Sequence, residues 1–333
     1  MNKRTVLFFI MCFSIVTIAL VPFVGMETIP FKTVFKAGSG DIQADILWKI
    51  RIPRVITAFL TGAVLSISGM TFQALFRNPL ATPFTLGISS GAAFGAALYV
   101  RTGFLFSLFG ISGQSFSAFA GALIAILIVY GLTHMKQGFS TATMLLAGVA
   151  VNFFFSSFIL FLQYMSDFTN SFRIIRWLMG GFEIIGFRPV FTILPFVLVG
   201  SAVIFLLTHE LNIMQLGEDI AISRGVSVKG IKTVLFFATS LMIGGVVSVA
   251  GPIGFVGMIS PHICRLLIGQ DHKYLTPAAF IFGGMFLTLC DMLSRTLIAP
   301  AEIPVGVFTA LLGGPFFLWL LLRGSSERSI MTH

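Results

Sequence analysis

The sequence predicts an all-α integral membrane protein of about ten transmembrane helices, and three observations carry that prediction. Of 333 residues, 56% are hydrophobic and only 10% are charged, against about 25% charged in a soluble domain. Mean hydropathy is +0.99. The apolar residues come in runs of about 20, the length at which a helix with internally closed backbone hydrogen bonds crosses a bilayer. The whole of 1–333 reads as one transmembrane domain, with lipid as its surroundings.

The first run, 6–25, follows Lys3 and Arg4. It is too long for a signal peptide and lacks a small-x-small cleavage site, so it reads as a retained helix with its N-terminus in the cytoplasm. Further spans are expected at 54–74, 84–100, 115–133, 142–164, 189–208, 231–250, 252–268, 276–296 and 305–322. An even number puts both termini on the cytoplasmic side. Pro252 and Pro261 interrupt the eighth span and Asp291 lies within the ninth; broken helices at membrane depth need protein or a water-filled cavity to cover them.

Small residues crowd the second span (Gly62, Ala63, Ser66, Ser68, Gly69) and the third (Gly87, Gly91, Gly95), making faces on which helix backbones approach closely. GAVLSISG at 62–69 lines up with GGVVSVAG at 244–251, and the same offset carries Pro79 onto Pro261. The two octamers fall in spans of opposite direction, the pattern of a weak inverted repeat.

The stretch His209–Lys232, HELNIMQLGEDIAISRGVSVKGIK, is polar and lies between long apolar runs. Leu211, Met214, Leu216, Ile220 and Ile222 recur roughly as on one face of a short helix, which Gly225 would end in a left-handed conformation. A chain that only reversed direction would use a few residues here. A structured, two-signed, amphipathic loop suits a soluble partner.

Several classes of chemistry are disfavoured. Cys12, Cys264 and Cys290 lack metal-ligand spacing and do not form a disulfide framework. The net charge of +9 is spread over loops without aromatics interleaved, which argues against nucleic acid. A nucleotide-binding G-x-x-x-x-G-K-[ST] loop is not found; in GVSVKGIKT at 225–233, Ile231 stands where the lysine belongs. The string GISSG at 87–91 has the G-x-S-x-G spacing but lies in an expected membrane span and not in a strand-to-helix elbow, and H-E-x-x-H does not occur, so no enzyme is expected. Asp271 and His272 read as a polar turn, not a metal site. No cofactor and no metal are expected.

RIPR at 51–54, SGMTFQALFRNPLATPFTLGISSGA at 68–92, LGEDIAISRGV at 216–226, GPIGFVGMISPHICRLLIGQDHK at 251–273 and DMLSRTLIAPAEIPVGVFTALLGGPFFLWLL at 291–321 together resemble the permease subunits of bacterial ABC importers for iron–siderophore complexes, haem and vitamin B12. The resemblance covers about 45–323. It implies the type II importer architecture in the cytoplasmic membrane and a second permease subunit, the same chain or another. It also implies two cytoplasmic ATPase subunits and an extracytoplasmic binding protein. The cargo it implies is a ferric siderophore, haem or cobalamin, the siderophore being the commonest. In that family the segment matching 209–230 couples to the ATPase, which singles out Leu216, Gly217, Glu218, Asp219, Ala221, Arg224 and Gly225. Arg224 departs from the pattern, because an apolar residue often precedes the glycine.

Arg51 and Arg54 flank Pro53 at the start of span two, and Arg295 lies at the same end of span nine. Lysine and arginine divide almost evenly between the two faces, against the positive-inside tendency. An outer face kept positive suits an acidic soluble partner. In the resembled family, arginines matching these three receive glutamates of the binding protein. Asn152, Phe155 and Thr309 are expected to line a weakly interacting path. The alternative reading, an ion-coupled secondary transporter, needs titratable groups at membrane depth, and only Asp291 qualifies clearly.

Overall fold

The computed structural model describes the chain except residues 1, 26, 28, 37, 39, 80, 105, 109–110, 136–140 and 331–333, and leaves out the side chains of 83, 319, 321 and 323–330. Leu80 of the second motif and the side chains of Trp319 and Leu321 of the last therefore lie outside the described residues.

Helix α1 (Lys3–Leu20) is capped by Asn2 and followed by a 3-10 turn. A short α2 (Ile42–Ile46) runs through a π turn into α3 (Ile52–Phe76). Then come α4 (Ile88–Thr102), a two-stranded hairpin of β1 (Ser107–Leu108) and β2 (Ile111–Ser112), α5 (Gly113–Met135) and α6 (Thr141–Tyr164). Helix α7 (Phe168–Leu178) precedes α8 (Arg188–Leu206), α9 (Thr208–Leu216) and α10 (Glu218–Ser223). The chain closes with α11 (Val228–Ala250), α12 (Val256–Ile268), α13 (His272–Thr296) and α14 (Val305–Ile330).

The ten expected spans coincide with α1, α3, α4, α5, α6, α8, α11, α12, α13 and α14. Seven helical segments among the described residues are long and apolar enough to cross a membrane. The shorter ones are α4, α12 and the described apolar part of α14, Val305–Leu318. At 13 residues, α12 is about 20 Å long, against a hydrocarbon core of about 30 Å. The missing length is the non-helical segment 251–255. Protein covers it: Gly181 N–H donates to the Ala250 carbonyl, Gly306 N–H to the Gly180 carbonyl, and the Phe255 ring lies against Gly313. Irregular backbone at membrane depth thus stays out of contact with lipid.

Helix α3 is the hub, packed on α13, α12, α11, α8 and α9. Small residues make this possible. Gly62 faces the backbone of Gly283 on α13, Gly69 that of Gly257 on α12, and Gly91 of α4 that of Gly121 on α5. A methyl at any of these positions would overlap a carbonyl of the neighbouring helix, so the close approach is specific to glycine. Some serine and threonine hydroxyls within the bundle turn back onto their own helices, as Thr57 does to Pro53 O and Thr71 to Ile67 O.

The octamers 62–69 and 244–251 are not in equivalent places. Gly69 lies inside α3, whereas Gly251 ends α11 with φ 68°. Likewise Pro79 follows α3 and Pro261 lies inside α12. What the two halves share is a long helix, a break and a short helix.

Candidate functional site

Two ends of the bundle carry polar structure, separated by the length of α8. At one end, residues 209–223 form two helices, not the single one expected, and 228–232 already belong to α11. Gly217, at φ 143° and ψ 145°, breaks the chain between α9 and α10, and Gly225 (φ 80°) turns it after α10, as its type suggested. The apolar residues divide accordingly. Leu211, Met214 and Ala221 are buried, while Leu216 and Ile222 are each 61% exposed and Ile220 also faces out. Asp219, Arg224 and Gly225 are exposed, and Gly225 has open space around it.

Three membrane helices grip this segment. The Arg77 guanidinium, from a left-handed residue just past α3, donates to the Met214 carbonyl at 2.9 Å. The buried Lys232 ammonium of α11 donates to Glu218 at 2.7 Å. Asn212 donates to Asp271 at 2.9 Å and accepts from the His272 N–H, while Gln215 meets the His272 ring. Asp271 also caps α13. Burial raises its pKa, but hydrogen bonds from Asn212 and the Lys273 N–H outweigh that and hold it below the ordinary carboxylate value.

At the other end, the three arginines of the sequence reading converge. Arg54 grips Asp291 with Nε and Nη2, at 2.9–3.1 Å, and Glu302 with Nη1 at 3.0 Å. Arg51 donates to the carbonyls of Pro22 and Glu27, and Arg295 to that of Val21. Arg51 and Arg295 are buried, and only 12% of the Arg54 side chain is exposed. Asp291 therefore pairs chiefly with Arg54, and its contact with Arg295 one turn away is longer, at 3.8 Å. Asp45, on the nearby α2, accepts from Lys49 at 2.9 Å.

The residues expected to line a path are not brought together on one surface. Asn152 is half-buried; Phe155 is buried against the Phe94 ring; the buried Thr309 hydroxyl donates to Gly306 O. The open aromatic face of α6 belongs to Phe153, Phe154, Phe158 and Phe161. A cavity of about 1210 Å3 opens instead at the arginine end, walled by α7, the start of α8 and the loop before α14.

The motifs and this architecture agree with the comparisons. Residues 9–323 match the FecCD transport family. The chain belongs to that family. It is 38% identical to the hemin transport system permease protein HmuU of Yersinia pestis, covering 92% of this chain and 91% of that one. It is 39% identical to the vitamin B12 import system permease protein BtuC of Escherichia coli O127:H6, over 83% of each chain. The fold matches a solved structure described as an inward-facing conformation of a metal-chelate type ABC transporter, with TM-score 0.84, 30% identity and coverage of 96% and 99%.

Sequence reasoning missed Arg77, Asn212 and Lys232 as holders of the α9–α10 segment. It also missed α7, whose 11 residues are too few and too polar to read as a span. An alternation of exposed arginines and apolar residues over 168–178 was the available signal.

Proposed function

We propose that this chain is the transmembrane permease subunit of an ABC importer carrying a ferric siderophore or a related large metal chelate, haem or cobalamin. Its energy comes from a separate ATPase subunit. The reading places the single transmembrane domain in a bacterial cytoplasmic membrane with both termini inside. A second permease subunit, two ATPase subunits and an extracytoplasmic binding protein complete the assembly.

The carrying observation is the α9–α10 segment. It presents exposed Leu216, Ile220 and Ile222 on a face that is otherwise polar, and it is tied by polar contacts to α3, α11 and α13. Apolar side chains held out on a braced support suit a protein cleft. Glu218 is engaged with Lys232 and serves the brace, which leaves Asp219 and Arg224 as the charges free to meet the partner. Asp291 supports the same reading against ion coupling. Its two oxygens are occupied by Arg54, so it is not a carboxylate standing open to a proton or sodium path.

The test is co-purification. The tagged chain, expressed with its ATPase, retains an ATP-hydrolysing subunit, and Leu216→Glu with Ile222→Glu loses it while still inserting in the membrane. Unchanged association of that variant would remove the assignment of the face.

A further inference from the structure

We propose that the 1210 Å3 cavity beside α7 is an anion-receiving site, with Arg173 and Arg188 as its unpaired cations, and that it takes a bulky, negatively charged, oxygen-rich chelate. The inference rests on the importer reading and adds to it the charge class of the cargo.

The charged groups of the wall are Arg54, Arg173, Arg176 and Arg188 against Glu183 and Glu302. Two of the arginines are already engaged: Arg54 with Asp291 and Glu302, and Arg176 with Glu183 at 2.6 Å. Arg173 and Arg188 are exposed, and neither side chain has an ion-pair or hydrogen-bond partner among the described residues.

Local structure gives neither residue a reason to be there. Arg188 is the first residue of α8, where the positive end of the helix dipole disfavours a cation. Arg173 has Thr169, Asn170, Arg176 and Trp177 as its neighbours one turn away on α7. None is an acid, and one is a further cation. Two uncompensated guanidinium groups at the rim of one cavity attract an anion, and each grips a carboxylate- or catecholate-like oxygen pair through parallel N–H donors.

Shape decides between a small molecule and an acidic protein surface. The volume exceeds the range of about 300–1000 Å3 usual for small-molecule pockets, and Tyr99, Phe172, Trp177 and Phe182 supply aromatic wall. A protein surface would meet the rim; a ring-bearing chelate fills the interior.

The test uses the permease–ATPase complex in phosphatidylcholine nanodiscs, without the binding protein. Binding of two radiolabelled probes, a trianionic ferric tris-catecholate and a neutral ferric trihydroxamate, is measured by equilibrium dialysis. The tris-catecholate is expected to bind weakly and saturably, with affinity falling roughly tenfold in Arg173→Gln/Arg188→Gln and partly recovering in Arg173→Lys/Arg188→Lys. Lys32→Gln/Arg101→Gln removes the same charge from exposed positions outside the cavity wall and should change it by no more than about twofold. The trihydroxamate should bind less well and ignore all three variants. Equal binding of both probes, an Arg173/Arg188 variant no worse than the control, or no saturable tris-catecholate binding overturns the anion site. The importer reading is judged separately, in proteoliposomes with binding protein and ATP. Transport that ignores probe charge overturns only the anion site, whereas absence of ATP-dependent transport of either probe, of haem and of cobalamin counts against the importer reading itself.

Discussion

Arg54, Asp291 and Glu302 show how much a single residue can hold at the boundary of a membrane. Asp291 is buried and accepts from Arg54 through both oxygens. Asp291→Asn leaves the nearby Arg295 without its counter-charge and Arg54 with the half-exposed Glu302 alone. Breaking one side of a buried pair costs about 3–5 kcal/mol. Thermal unfolding of the purified protein should show that loss, and Arg54→Met with Asp291→Leu should recover much of it. A single variant as stable as wild type would contradict the pairing. Glu302 is different, because it lies on the loop before α14 and its side chain is 53% exposed. We propose that a binding-protein carboxylate displaces it from Arg54 on docking. Glu302→Gln should then tighten docking several-fold at low salt, measured with the immobilised complex. Weaker docking would mean that Glu302 itself belongs to the contact. The sequence singled out Arg51, Arg54 and Arg295 as outer charges. It did not show that they bind three carbonyls and Asp291, because those partners are brought near only by α1, α3 and α13 folding together.

Element by element, the apolar runs made the long helices legible, since length and composition alone define them. The breaks were less so. Pro252 and Pro261 marked α12 as interrupted, but only the packed structure shows that Pro261 is accommodated inside the helix while 251–255 is irregular. The single helix expected over 211–222 failed at Gly217, whose conformation no other residue adopts readily. The small-residue faces were read correctly as packing surfaces. Gly69→Leu tests them, because its side chain would displace the Gly257 carbonyl on α12. Overpacking of this kind costs about 1–3 kcal/mol or more, and here it pushes apart α3 and α12. The expected outcome is a lower unfolding temperature and a reduced yield of monodisperse protein, with the exposed Leu146→Ala as the neutral control. Equal stability of the two variants would mean that the α3–α12 contact is loose.

For the whole molecule, a braced amphipathic segment lies at one end of the helices and an arginine-lined cavity at the other, with α3 and α13 reaching both. This layout suits force applied to α9–α10 and release of a cargo received beside α7. Reconstitution measures that claim most directly. The permease and its ATPase are placed in proteoliposomes with binding protein on the receiving side, and chelate accumulation is followed with ATP or with an imposed proton or sodium gradient. The account predicts accumulation that requires ATP, is lost in Leu216→Glu/Ile222→Glu and is indifferent to collapse of the ion gradients. Accumulation driven by a gradient without ATP would contradict it.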